Sequence, residues 1–123
     1  GLMTAHVLYQ NIAPEIASFS PFWLKQILRE QIGYQGLIFS DDLLMKATEA
    51  TGNMSARATA ALDAGCDVLL LCNNDAAVLE LLADNSVVNR SGDLDYSKLY
   101  YQALADAEHY TKARGLLAER GLI

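Results

Sequence analysis

The sequence predicts an α/β chain built on a three-stranded parallel sheet. Three short apolar runs suited to strands, Leu2 to Leu8, Leu37 to Phe39 and Cys66 to Cys72, are separated by segments of helical period. The order reads β-α-β-α-β-α-α, and strands that alternate with helices pair in parallel through right-handed crossovers. Each run ends in polar groups: Ala5-His6, Ser40-Asp41-Asp42 and Cys72-Asn73-Asn74. In parallel sheets, functional residues collect at such carboxyl ends.

The elements follow in order. Leu2 to Leu8 reads as a strand running into a loop, and Asn11 to Ser20, with Pro14 and several small residues, has no period. Ser20 is placed as a helix N-cap before Pro21 at the first helical position. Trp23, Leu24, Ile27, Leu28 and Ile32 recur at helical spacing up to Gly33, a C-terminal stop. Gly36 opens the second strand, Leu37-Ile38-Phe39, which is expected to stop at Ser40-Asp41-Asp42. A polar stretch around Thr51-Gly52-Asn53 leads into the alanine-rich helix Met54 to Ala64, ended by Gly65. Cys66 to Cys72 is Leu-rich and nearly continuous, which predicts a strand buried on both faces. Asn73-Asn74-Asp75 caps a fourth short helix through Leu82. Asn85 to Asp95, with Ser91-Gly92, reads as a polar link. Tyr96 to Arg120 places Tyr96, Leu99, Ala103, Ala107, Tyr110 and Arg114 on one side of a long amphipathic helix ended by Gly121.

Composition excludes several classes. At 123 residues, 52% apolar and 20% charged, the chain is not disordered and suits one domain at most. No apolar run approaches the ~20 residues that cross a bilayer. The N-terminus has no signal-peptide pattern. A net charge of −6 argues against a nucleic-acid partner. Cys66 and Cys72 fall in one strand at a separation of roughly 20 Å, beyond disulfide reach, so a reducing cytoplasmic setting is expected. No His/Cys cluster has zinc spacing and no glycine-rich phosphate loop follows a strand, so neither a metal nor a cofactor is expected. Two architectures fit: an open doubly wound sheet, or part of a (β/α)8 barrel. A complete barrel needs about 250 residues, so barrel material of this length is a piece of one.

Asp41, directly after Leu-Ile-Phe-Ser, is the leading site candidate, because burying an acid there without a partner is costly. His6 also ends a strand, and on the residues alone reads more readily as a hydrogen-bonded structural group. Asp42 and Asn74 read equally well as helix caps. His109 and the tyrosines Tyr96, Tyr100, Tyr101 and Tyr110 read as packing or surface residues of the last helix. The cysteines read as small apolar filler.

Longer blocks then carry a resemblance. Leu2-Met3-Thr4-Ala5-His6-Val7-Leu8-Tyr9 is followed by Ser20-Pro21-Phe22-Trp23-Leu24 and Ile27-Leu28-Arg29. Gly33-Tyr34-Gln35-Gly36-Leu37-Ile38-Phe39-Ser40-Asp41-Asp42-Leu43 comes next, with Met45. Ala61-Leu62-Asp63-Ala64-Gly65-Cys66-Asp67 and Cys72-Asn73-Asn74 continue it. Together they resemble the C-terminal part of bacterial β-N-acetylhexosaminidases (β-N-acetylglucosaminidases) of glycoside hydrolase family 3, closely over residues 1–75 and loosely beyond.

The resemblance implies a fold: the C-terminal portion of a (β/α)8 TIM-type barrel, three parallel strands with flanking helices. Residues 1–84 would be its last β/α units, and 85–123 a C-terminal linker and long helix. It implies retaining exo-hydrolysis of terminal β-linked N-acetylglucosamine, in the cytoplasmic recycling of cell-wall muropeptides. In that mechanism a carboxylate attacks the anomeric carbon, a glycosyl-enzyme forms, and water releases it. By the same resemblance Asp41 is the nucleophile, Asp42 supports or caps, and Met3, His6 and Met45 contact the sugar. The family's proton donor, a histidine paired with an aspartate on a mobile loop, lies upstream of these blocks. So does its lysine-histidine block that holds the sugar, and His6 matches neither. The implication is a piece that carries the nucleophile and is inactive alone. Its partners are then the sugar and the remainder of the barrel, with no membrane or nucleic acid, and its open strand edges favour self-association. The competing reading is a small stand-alone α/β binding domain of receiver type, using Asp41 and Asp42 for a metal. That reading needs an acidic pair on the first strand and a lysine at a late strand's end, and neither is found.

Overall fold

The computed structural model describes residues 1–88. The expected long helix Tyr96 to Arg120, with His109 and its tyrosines, lies outside the described residues. β1 (Leu2–Met3), β2 (Ile38–Asp42) and β3 (Val68–Leu70) form one parallel sheet in the order β1-β2-β3. A helix of π type, Phe22–Gln31, connects β1 to β2. A 3-10 helix, Lys46–Thr51, and α1 (Met54–Ala64) connect β2 to β3, and α2 (Asp75–Ala83) and α3 (Asn85–Val88) follow.

The register is set by a reciprocal contact at the amino ends of β2 and β3. Asp67 donates its backbone N–H to Ile38 O at 2.8 Å, and its Oδ2 accepts the Ile38 N–H at 2.8 Å. The same oxygen takes Arg29 Nη2 at 2.7 Å. Arg29 Nη1 meanwhile donates to the carbonyls of Tyr34 (2.9 Å) and Gly36 (2.7 Å). One guanidinium thus ties the helix before β2 to the start of β3. With the pair set, Phe39 lies opposite Val68 and, on the other side, opposite Met3.

Helices cover one face of this sheet. Leu24, Ile38, Leu43, Ala58, Ala61, Ala64, Cys66, Leu81 and Val87 form a single core, with Leu69 and Leu71 packed against it. Ala58, Ala61 and Ala64 recur every third position of α1, so its small side chains let the helix lie close to the strands. Asn53 caps that helix by accepting the Ala56 N–H at 2.9 Å, and Gly65 ends it at φ +119°, a conformation glycine adopts without strain. Side chains alternate along a strand, so Phe39 and Asp41 point away from the core. Met3, paired with Phe39, shares their face and is 61% exposed. A doubly wound sheet carries helices on both faces, whereas consecutive barrel units carry them on one. Among the described residues the helices pack on one face only, the arrangement of consecutive barrel units.

Several elements differ from the sequence reading. β1 is shorter than Leu2 to Leu8. Thr4 N still reaches Phe39 O at 2.9 Å, but the chain then turns out of the sheet, with Ala17 N on Val7 O at 2.8 Å and Leu8 bridging Ile16. Ser20 does not cap the next helix: it is buried, its hydroxyl donates to Glu15 at 3.4 Å, and Pro21 occupies the cap position. That helix is wound wide, with Ile32 N closing on Ile27 O. The same interval of five separates Trp23 and Leu28, which both pack on the core. β2 runs through Asp42 instead of stopping before Ser40, because the buried Ser40 Oγ accepts the Leu70 N–H at 2.9 Å and extends the pairing. β3 is the shorter Val68–Leu70 and only half-buried, since among the described residues one of its faces has no helix against it. The polar stretch before Asn53 is helical over Lys46–Thr51, with the buried Thr48 hydroxyl donating to Leu43 O and Met45 O, each at 2.8 Å. The expected link begins with a helical turn, Asn85–Val88.

Asp67→Ala leaves the fully buried Ile38 N–H without its acceptor and Arg29 Nη2 without its carboxylate. An orphaned buried donor costs about 1–3 kcal/mol, so urea unfolding should show a loss of about 2 kcal/mol, and a loss under about 0.5 would refute this register pin. Cys66 provides a second check. Burial, and then the charge of Asp67, push its thiol up to about 12, against a smaller lowering by Thr4. The thiolate is the reactive form, so an alkylating agent at about pH 8 should label the exposed Cys72 and spare Cys66. Equal labelling by mass spectrometry would mean the core is open.

Candidate active site

Asp41 and Asp42 end β2, the middle strand, and both neighbouring strands reach them there. From the β1 side, the buried Thr4 accepts the Asp41 N–H on Oγ1 at 3.2 Å. Two residues further, His6 Nε2 lies 3.0 Å from Asp42 O, and Nδ1 lies 2.8 Å from Ser18 Oγ. A backbone carbonyl only accepts, so the hydrogen-bond network assigns the proton of His6 to Nε2 and the Ser18 hydroxyl donates to Nδ1. From the β3 side, the Cys72 N–H donates to Asp42 Oδ1 at 3.1 Å. That oxygen also accepts the Leu44 N–H at 3.0 Å, and Asp42 O accepts the Met45 N–H at 3.1 Å.

The two acids therefore have different tasks. Asp42 is a fastener whose carbonyl and carboxylate each join the strand end to the following turn and to a neighbour. It is not a helix cap, since Met45 takes that position before Lys46–Thr51. Asp41 is half-buried on the open face. Its Oδ1 accepts the Asp42 N–H at 2.8 Å, and among the described residues no donor meets Oδ2. A carboxylate with one oxygen held by the backbone and one available has the form needed of a nucleophile or general base.

The other expected residues are placed as follows. Met3 shares the open face with Asp41, two register positions towards the amino end. Met45 sits in the turn after β2 and is 44% exposed. His6 is joined to the site through Asp42, with both ring nitrogens taken by protein groups. Asn74 is a helix cap, accepting the Ala77 N–H at 3.0 Å, and Asn73 precedes it at φ +60°. Among the described residues no group of three or more His, Cys, Asp or Glu is gathered to hold a metal. Sequence reasoning missed Thr4 and Ser18. Thr4 had a signal, a polar residue directly after the apolar pair of β1. Ser18 had none, lying in an aperiodic segment.

The family described as Glycosyl hydrolase family 3 N terminal domain matches residues 1–99. The chain is 55% identical over 84 residues to the Beta-hexosaminidase of Shewanella frigidimarina, covering 68% of this chain and 25% of that protein. It is 42% identical over 106 residues to the Beta-hexosaminidase of Alkalilimnicola ehrlichii, covering 86% of this chain and 30% of that one. In structure it is similar to NagZ from Neisseria gonorrhoeae in complex with N-trifluoroacetyl-D-glucosamine, at 41% identity and a TM-score of 0.58, covering 70% of this chain and 25% of that one. The chain thus spans between 25% and 30% of the length of these curated relatives.

Proposed function

The chain belongs to the glycosyl hydrolase family 3 N-terminal domain family, and from that membership we propose that it is the part of a retaining β-N-acetylhexosaminidase that carries the nucleophile, Asp41. The observation that supports this most is the placement of Asp41. It lies at the carboxyl end of the middle parallel strand, on the face that carries no helix among the described residues, with one carboxylate oxygen held by the Asp42 N–H and no donor among those residues on the other. Functional groups of barrel enzymes sit at this end of the strands.

In the proposed reaction Asp41 Oδ2 attacks the anomeric carbon of a terminal β-linked N-acetylglucosamine. The glycosidic bond breaks, its electron pair goes to the leaving oxygen, and a proton donor elsewhere in the barrel protonates that oxygen. Water then attacks the anomeric carbon of the glycosyl ester and gives its proton to the deprotonated donor, releasing free sugar and restoring both the carboxylate and the donor. Residues 1–84 supply the last β/α units of the barrel. The remaining strands close over Met3, Phe39, Val68 and Leu70, and Met3 and Met45 contact the sugar. Muropeptides of the recycled cell wall, handled in the cytoplasm, are the proposed substrate source. The names of the relatives and the N-trifluoroacetyl-D-glucosamine in complex with the gonococcal protein support the sugar class. Alone, the chain has the nucleophile without the proton donor. Its uncovered sheet face and strand edges then favour self-association.

In a full-length enzyme carrying this segment, Asp41→Asn should lower kcat on an aryl β-N-acetylglucosaminide by at least about a thousandfold with KM little changed, because an amide cannot form the glycosyl ester. The isolated 123-residue chain should show no turnover. Near-normal kcat in the variant, or turnover by the purified chain, would contradict the proposal.

A further inference from the structure

Resting on Asp41 as nucleophile, we propose that His6 is a positioning residue for the reaction, a strut of fixed tautomer that sets the strand end from which Asp41 projects. The strut begins in the core. Ser18 is fully buried in the 3-10 turn Ala17–Phe19, which packs against α1. Its carbonyl also lies 3.9 Å from the buried Cys66 thiol. From that anchor the Ser18 hydroxyl donates to His6 Nδ1, His6 Nε2–H donates to Asp42 O, and the Asp42 N–H donates to Asp41 Oδ1. Phe19, 5.6 Å away between ring centroids and tilted by 54°, supports the imidazole. Each link is a direct contact, and the last one orients the attacking carboxylate.

Two features separate this role from the alternatives. Both nitrogens of His6 are already engaged by protein, so neither is left to hold a sugar hydroxyl. Asp42 also keeps its bonds to Leu44, Met45 and Cys72 when His6 is removed. The strand end therefore still forms without His6, but it loses its tie to the Ser18 anchor. Small displacements of a reacting group are expensive in rate and need not weaken binding.

The test uses the full-length enzyme carrying this segment, with kcat and KM measured for His6→Ala, His6→Gln, Ser18→Ala and Asp41→Asn. His6→Ala should lower kcat about 10- to 100-fold with KM changed less than about twofold. His6→Gln, whose amide N–H reaches towards Asp42 O from the place of Nε2, should recover most of the loss. Ser18→Ala, which cuts the ring from its buried anchor but leaves its contact with Asp42 O, should fall between His6→Ala and the unmodified enzyme. If His6→Ala fails to fold, the His6→Gln and Ser18→Ala pair carries the same comparison. An unchanged kcat, a raised KM with kcat preserved, or a glutamine variant no better than alanine would overturn the strut. Asp41→Asn separates the two failures. If it is inactive while the His6 variants are normal, only the strut falls; if it keeps its activity, the nucleophile assignment falls.

Discussion

One carboxylate oxygen, Asp67 Oδ2, fixes how the middle strand lies in the sheet. It takes the Ile38 N–H and the Arg29 guanidinium, while Asp67 N–H returns to Ile38 O. Strand side chains alternate with period two, so a slip of one residue would exchange the faces of β2. Ile38 would move to the uncovered face and Asp41 would turn into the core of alanine and leucine side chains. Burying that acid without a partner is costly, so hydrophobic pattern and electrostatics select the same register. The Arg29 fork adds the carbonyls of Tyr34 and Gly36, and its guanidinium carbon lies 5.5 Å from the Tyr34 ring centroid. The loop that enters β2 is thereby fixed as well.

The two ends of β2 are built differently. The amino end is held by charge and serves stability. The carboxyl end is held by hydrogen bonds from both neighbours, Thr4 and His6 on one side and the Cys72 N–H on the other. These bonds fall mostly on Asp42, which leaves its neighbour Asp41 with an available oxygen. Restraint of the backbone beside Asp41 keeps its side chain in place without occupying that oxygen. The apolar Met3, Phe39, Val68 and Leu70 share the face of Asp41. Once the rest of a barrel covers that face, water is reduced around the carboxylate and its electrostatic interactions strengthen.

Much of this was legible in the residues. The strand-helix alternation, the stop at Gly65, the cap at Asn74 and the position of Asp41 all follow from local rules that the structure obeys. The errors lie where a tertiary contact overrides such a rule. Ser20 has the composition of a cap, but its hydroxyl turns inward to Glu15. Ser40 reads as a strand terminator, but the Leu70 N–H makes it part of the ladder. Val7 and Leu8 look like strand, yet they pair with Ile16 and Ala17 once His6 has turned towards Asp42. Ser18 shows the limit most clearly: its role depends on a histidine twelve positions away, and no spacing in the chain announces it.

The most direct measurement is to identify the atom that becomes glycosylated. A full-length enzyme carrying this segment would be incubated with a fluorinated N-acetylglucosaminide that forms its glycosyl-enzyme quickly and releases it slowly, then digested and sequenced by mass spectrometry. The account predicts one sugar-sized mass increase on the peptide spanning Leu37 to Met45, at Asp41. An adduct on Asp42, or on a carboxylate outside this segment, would contradict it.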